Sequence, residues 1–303
     1  MTVGVVGLGL IGGSFAKAFK YAGLTPAGAV SRYASAEDVY VDRKSAPSGT
    51  CVLGADRDEA TAQLARLTGA IDDLLTEENL GSCDYIILAL YPGAAVEWLT
   101  QHAASIGKKT IVIDTCGIKQ RVCEACFALA AEHGFTFIGG HPMAGVHEWG
   151  FKYASEHMFE GASMILVPES TGDVQLLSAV SEQMKAIGFG SVTITSAQEH
   201  DKNIAFTSQL AHVVSNAYVK SPGAIVHKGF SAGSYRDMTR VAKLNEVMWT
   251  ELFLDNREYL KAELDGLIER LQDYSRALEE GDAPRLQQLL RDGRQRKESI
   301  DFS

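Results

Sequence analysis

The sequence predicts an α/β fold, with a doubly wound, mostly parallel sheet in the N-terminal part followed by an all-α segment. Three observations predict it. The chain opens on an apolar strand that runs through a glycine pattern into an apolar-periodic helix. Strands then alternate with helical patterns as far as Pro168, and beyond Pro168 nearly all the periodicity is helical. At 303 residues the chain exceeds what one hydrophobic core usually serves, so two domains are expected, residues 1–168 and residues 169–303.

Taken in order, the expected strands are Val3–Val6, Cys51–Ala55, Tyr85–Leu90, Thr110–Asp114, Thr136–Ile138 and Ser163–Val167. A short strand, Val192–Thr195, interrupts the later helices, which are expected at Asp173–Ile187, Ala197–Lys220, Tyr235–Glu280 and Ala283–Glu298. Helices of this length cannot hide their apolar stripes against a small neighbour, so the second domain is expected to form a homodimer.

The run from Val3 to Ser14 holds G-x-G-x-x-G between strand and helix. Gly7 permits the tight turn, Gly9 lets a pyrophosphate approach the backbone, and Gly12 lets helix and strand pack, while the N–H groups of Leu10 and Ile11 sit at the positive end of the helix dipole. The helix continues with Phe15, Ala16, Ala18 and Phe19, which is the context this motif needs; residues 1–168 are expected to be an NAD(P)-binding Rossmann domain. An acidic residue that would hold the adenosine ribose is not found at the usual distance. Cys51–Asp56 reads as a strand ending in an acid, so Asp56 takes that role and Thr25–Thr50 becomes a solvated insertion. Asp56 repels a 2′-phosphate and favours NAD; the adjacent Arg57 partly offsets this and leaves NADP possible. Asp56 also suits the N-cap of a helix over Asp58–Leu67.

Composition narrows the partners. A net charge of −10 argues against nucleic acid and anionic membranes, and asks that an anionic small-molecule substrate meet a local cluster of cations. Neither a signal peptide nor an apolar stretch approaching 18 residues is present, so the expected location is cytoplasmic. Five cysteines do not describe a disulfide framework, and no metal site is expected. Cys123 and Cys126 form C-x-x-C on an expected helix from Lys119 to His133 and are read as apolar packing.

Three clusters carry chemistry. In the first, Gly139, Gly140, Pro142 and Gly145 surround His141 in a turn after the Thr136–Ile138 strand, where a histidine can act as a general base; the alternative is a histidine bonded only to its own loop. In the second, Ser208 and His212 stand four apart on one expected helix, while His200 and Asp201, two turns earlier, read as a helix-start pair exposed to water. The third is a glycine-containing loop from Gly229 that leads into Arg236, Arg240 and Lys243 at helical spacing, a cationic stripe suited to carboxylate. Its alternative is ordinary pairing with Asp237 and Glu246.

Five motifs in order resemble the prephenate dehydrogenase family, the TyrA-type enzymes: GLGLIGGS at 7–14, IDTCGIK at 113–119, GGHPMAG at 139–145, EHDKNIAFTSQLAH at 199–212 and SYRDMTRVAKLNEVMW at 234–249. The resemblance implies a Rossmann domain, a helical dimerisation domain, and oxidative decarboxylation of prephenate or arogenate with NAD(P). It implies that His141 accepts the proton of the ring hydroxyl, that Arg240 holds the ring carboxylate, that Ser208 and His212 line the same pocket, and that Lys119 closes a loop beneath the cofactor. Many members carry serine where this chain has Gly117, so the hydroxyl that would orient the histidine is missing and falls to Thr115, Cys116 or a backbone group. His147 and Trp149 stand where a glutamate and a small residue are usual, and Gln209 and Ala211 replace a histidine and a proline. No ACT-like regulatory module is expected. Two further readings remain: a β-hydroxyacid-type dehydrogenase, with Lys202 or Lys220 as its catalytic lysine, and an NAD(H)-sensing protein without turnover.

Overall fold

In the computed structural model the apolar opening becomes β1 (Thr2–Val6), and the chain passes through the glycines into α1 (Leu10–Tyr21). The structure describes residues 1–22, 49–146, 148–226 and 229–301, so most of the expected insertion and His147 lie outside it. Next come β2 (Cys51–Ala55), α2 (Glu59–Leu67), a two-residue β3 (Asp73–Leu74), α3 (Glu77–Leu80) and β4 (Tyr85–Leu88). They are followed by α4 (Pro92–His102), β5 (Ile111–Asp114), α5 (Gln120–His133), β6 (Thr136–Pro142), β7 (Ser163–Pro168), α6 (Val174–Ala186) and β8 (Ser191–Ile194).

Among the described residues these strands form one eight-stranded sheet in the order β3-β2-β1-β4-β5-β6-β7-β8. Every pairing is parallel except β6 with β7. β1 pairs with β2 on one side and β4 on the other, so strand order reverses there, and the crevice beyond the carboxyl ends of β1 and β4 is where a doubly wound sheet takes its ligand. Both faces are covered, as a parallel sheet requires. On one face Val3, Val5 and Ile87 pack with Phe15 and Phe19 of α1 and with Leu177, Val180 and Met184 of α6. On the other, Val6, Ile86, Leu88 and Val112 pack with Leu99 of α4 and Val122 and Cys126 of α5. Alternate residues of β1 and β4 thus serve opposite cores, which explains why these strands read as continuous apolar runs.

The chain divides into two units, Met1–Asn203 with Lys243–Asp255, and Ile204–Ala242 with Asn256–Ser303. The boundary therefore falls later than the change of pattern at Pro168 suggests. The reason is a β-α-β crossover: α6 leads from β7 back to the same sheet, where β8 pairs parallel with β7. The expected Ala197–Lys220 helix is α7 (Ala197–Ile204), a π-helical segment over Ala205–Leu210, and α8 (Ala211–Tyr218). The expected Tyr235–Glu280 helix is three: α9 (Gly233–Thr239), α10 (Glu246–Asp255) and α11 (Arg257–Glu279). Asn245 restarts the chain as α10 by accepting the N–H of Met248 at 3.0 Å, an N-cap that periodicity does not register. α12 (Ala283–Asp301) lies against α11 in the second unit, where Ile268, Leu271, Leu278 and Leu290 of these two helices remain exposed. Among the described residues no helix is long and apolar enough to cross a membrane.

β6 runs four residues beyond Ile138, so Gly139, Gly140 and His141 are strand and not turn. His141 pairs with Ile165 of β7. Glycine at 140 is demanded by packing, because a Cβ there would stand 2.3 Å from the Asp114 carbonyl oxygen and 2.7 Å from Ile113. Gly140→Ala is expected to lower stability by about 1–3 kcal/mol through overpacking, read as a lower midpoint in thermal or urea unfolding; an unchanged midpoint would show that β5 and β6 have room to part.

Candidate active site

The glycine turn is built as the motif asks. Gly7 has φ +86°, a left-handed conformation that a side chain disfavours. A Cβ on Gly12 would lie 1.8 Å from the Gly7 carbonyl oxygen, so helix and turn meet only because residue 12 is glycine. Gly9 precedes α1 in an extended conformation, and nothing lies within 4 Å of where its Cβ would be, which leaves the backbone open to approach. Leu10 and Ile11 begin the helix, where the first N–H groups have no intrahelical acceptor. Asp56 sits at the end of β2 as expected. Its Oδ2 accepts the N–H of Leu8 at 2.7 Å and its Oδ1 accepts the N–H of Asp58 at 2.9 Å, so the carboxylate is tied to the glycine turn, and Arg57 beside it is exposed. The N-cap of α2 is Asp58 rather than Asp56.

His141 belongs to a buried network that joins β5, β6, α5 and α7. Asp114, at the end of β5, is fully buried; its Oδ1 accepts the N–H of Gly140 at 3.0 Å, and its Oδ2 accepts the N–H of Cys116 at 2.9 Å and pairs with the Lys119 ammonium. Lys119 is expected at the cofactor, but its side chain is 0% exposed and its charge is spent on Asp114. Burial pulls the Lys119 ammonium down, yet Asp114 and the neighbouring thiols outweigh that and hold its pKa above the usual value. Asp201 of α7 accepts the N–H of Lys119 at 2.7 Å through Oδ1 and that of Gln120 at 2.8 Å through Oδ2, closing the start of α5. The same Oδ1 lies 2.7 Å from His200 Nδ1, and His200 Nε2 lies 2.9 Å from His141 Nδ1.

His200 and Asp201 are therefore not a water-exposed pair: they are 2% and 1% exposed, and the helix-start reading is corrected. Helical spacing placed them on a surface because it cannot show that α7 lays this turn against the start of α5. Their position beside His141 was missed for the same reason; adjacent histidine and aspartate inside the EHD motif were the available signal. Burial, then the neighbouring His200 and Lys119, push the proton affinity of the partly buried His141 well below the ordinary histidine value. Burial also lowers His200, against the opposing pull of Asp201. Neither substitute for the missing hydroxyl at 117 reaches the histidine. Thr115 donates to the Leu88 carbonyl at 3.4 Å and the Cys116 thiol to the Leu90 carbonyl at 3.4 Å. Cys123 and Cys126 are buried and burial raises both thiols, that of Cys126 to about 12, in keeping with their reading as packing residues.

Ser208, His212 and Arg240 belong to the second unit. His212 Nδ1 donates to the Ser208 carbonyl at 2.8 Å, and Ser208 lies in the π-helical segment, a rare geometry that places side chains off the usual helical rows. Arg240 is the exposed C-cap of α9. The cationic stripe is divided, since Arg236 and Arg240 are in the second unit while Lys243 is in the first, over the ring of Trp149 at 5.3 Å from its centre.

Comparison with known proteins agrees with this geometry. Residues 43–193 match the family described as the prephenate dehydrogenase nucleotide-binding domain, and residues 196–292 match the prephenate dehydrogenase dimerization domain. The chain is 27% identical over 307 residues to a prephenate dehydrogenase of Lactococcus lactis, covering 98% of this chain and 77% of that protein. It is 28% identical over 284 residues to a cyclohexadienyl dehydrogenase of Zymomonas mobilis, covering 91% and 88%. The fold is shared with the crystal structure of prephenate dehydrogenase from A. aeolicus in complex with hydroxyphenyl propionate and NAD+, at a TM-score of 0.77 and 22% identity, covering 99% of this chain and 98% of that one. The two family matches meet where β8 ends and α7 begins and together span most of the sequence, and on that ground the chain belongs to the prephenate dehydrogenase family.

Proposed function

We propose that the protein is an NAD-dependent prephenate dehydrogenase that converts prephenate to 4-hydroxyphenylpyruvate with loss of CO2, acting as a homodimer in the cytoplasm. The observation that carries the reading is His141, a partly buried histidine on β6 held by a buried hydrogen-bonded partner and kept neutral near physiological pH. The glycine turn fits a dinucleotide: Gly9 leaves the backbone open, Leu10 and Ile11 begin a helix, and Asp56 is already fixed against the turn. Gly7, Gly9, Leu10, Ile11 and Gly12 would hold the pyrophosphate and Asp56 the ribose, with Arg57 beside it. When bound, NAD supplies the acceptor for the hydride that leaves the hydroxyl-bearing ring carbon.

His141 takes the proton of that hydroxyl as the carbon is oxidised. The ring carboxylate then leaves as CO2, its bonding pair completes the aromatic ring and moves charge onto the ring oxygen, and protonated His141 returns its proton there; aromatisation makes the sequence effectively irreversible. Arg240 is assigned to the ring carboxylate, and Ser208 and His212 to further substrate contacts. Lys119 acts on none of these atoms directly; through Asp114 it holds the strand that carries His141. A homodimer is supported by the dimerisation-domain match and the exposed apolar residues of α11 and α12. Five free cysteines, four of them buried, suit a reducing compartment. The hydroxyacid-dehydrogenase reading finds no support in its lysines, since Lys202 and Lys220 are both exposed. Arogenate is the alternative substrate, favoured by the cyclohexadienyl dehydrogenase relative.

The test is reduced-nicotinamide formation with prephenate or arogenate, each with NAD or NADP. Prephenate with NAD is expected to be fastest, and four blanks alongside demonstrated NAD binding would overturn the reading. His141→Asn is expected to lower kcat by roughly 10²–10⁴ with NAD affinity unchanged, and an unaffected kcat would remove His141 from the mechanism. Arg240→Ala is expected to weaken substrate binding by about 1.5–3 kcal/mol, seen as a higher KM; unchanged KM and kcat/KM would leave Arg240 a surface residue. The pH dependence follows from the lowered affinities of His141 and His200. Above the unfolded-state value of about 6.5 both states are neutral and stability is full; below it the unfolded chain binds protons first, so stability falls as pH drops toward the folded values. The kcat/KM profile is accordingly expected to stay level through neutral pH and to bend only on the acid side of about 6.5. An acid limb centred above that value would contradict the assignment.

A further inference from the structure

We propose that His200 and Asp201 are the positioning pair for His141, fixing it as the tautomer protonated on Nδ1 so that the lone pair of the base lies on Nε2. The inference rests on the reading of His141 as the base, but its primary measurement needs no substrate.

The argument is one of donors and acceptors. Asp201 is an acceptor-only carboxylate, since its two oxygens already receive the N–H groups of Lys119 and Gln120 at 2.7 and 2.8 Å. A group 2.7 Å from its Oδ1 must bring a proton, so His200 carries its hydrogen on Nδ1. Neutral His200 then has its lone pair on Nε2, and that atom lies 2.9 Å from His141 Nδ1. Two lone pairs cannot face each other at that distance, so the intervening proton belongs to His141 Nδ1. What is left on His141 is an unprotonated Nε2. The reverse arrangement requires a proton on Asp201, which two backbone N–H donors oppose, or a cationic His200, which burial opposes.

Among the described residues, the other candidates near this strand are committed elsewhere. Position 117 is glycine, and two methyls of Leu252 stand 3.3 Å from where its Cβ would be, so Leu252 has closed over the place an orienting hydroxyl would need. Thr115 and Cys116 are committed to the carbonyls of Leu88 and Leu90. Asp114, the other buried carboxylate, faces Gly140 N–H, Cys116 N–H and the Lys119 ammonium. When Nε2 accepts the substrate proton, His141 becomes a cation whose Nδ1–H already points at His200 and, through it, at the Asp201 carboxylate. The Nδ1–H bond to His200 thus keeps the ring in one orientation while Nε2 takes up the proton.

The experiment is imidazole ¹⁵N NMR of the full chain with NAD bound, with the His141 signals assigned by their loss in His141→Asn. The expected result at neutral pH is a protonated Nδ1 and an unprotonated Nε2 on His141; the opposite tautomer overturns the proposal whatever the substrate proves to be. Kinetics supply the second readout. His200→Leu removes the acceptor and is expected to lower kcat roughly 10–100-fold, with the KM for prephenate and the Kd for NAD within about 2-fold. His200→Gln keeps a carbonyl that can accept from Nδ1–H and is expected to recover most of that loss. Equal kcat in the two variants, or a loss confined to KM, would reduce His200 to a packing residue.

Discussion

The buried Asp114 carboxylate is the point on which the site depends. A carboxylate with no exposure persists as an anion only if its lone pairs are satisfied and its charge is met, and here the Gly140 and Cys116 N–H groups do the first while the Lys119 ammonium does the second. Each of these partners fixes a different piece of backbone. Gly140 sets β6 against β5 one residue before His141, Cys116 shapes the turn that leaves β5, and Lys119 stands at the first turn of α5. Removing either charge would strand the other in a dry interior, so the arrangement holds as a unit.

Asp201 extends the same logic to α7. Its carboxylate occupies the start of α5, where unpaired N–H groups and the positive end of the helix dipole favour an anion, and the oxygen that accepts the Lys119 N–H also receives His200 Nδ1. The strand that carries His141 and the helix that carries its partner are thus positioned by two buried acids acting on one short turn, residues 114–120. The chemistry needs this rigidity, since a base whose lone pair points the wrong way is no base at all.

Much of this was legible in the residues. β1, the glycine turn and α1 follow from an apolar run, three glycines and a helical period, each of which acts within a few residues. His141 and Asp56 stood out because residue type and position along a strand carry information by themselves. Other features were hidden for identifiable reasons. The start of α10 depends on a side-chain cap, Asn245, that competes with an unbroken apolar period. The reach of the first unit past Pro168 depends on a crossover that returns to the same sheet. Residues 243–255 read as part of one long helix of the second domain, yet Leu252 packs into the first unit's core.

By itself the sequence determined the local grammar: a dinucleotide-type turn, strands in alternation with helices, a histidine just after the expected Thr136–Ile138 strand, and the ordered motifs by which the family is recognised. Only the tertiary structure decided the partners of that histidine. Lys119 reads as closing a loop beneath the cofactor, and the fold adds that its ammonium is buried against Asp114; His200 and Asp201 read as surface residues until α7 is laid on the start of α5. Local pattern reports what a segment prefers to be, whereas the partner of His141 and the acid that closes α5 are brought in across 59 and 82 residues of chain, and no periodicity along the chain encodes them.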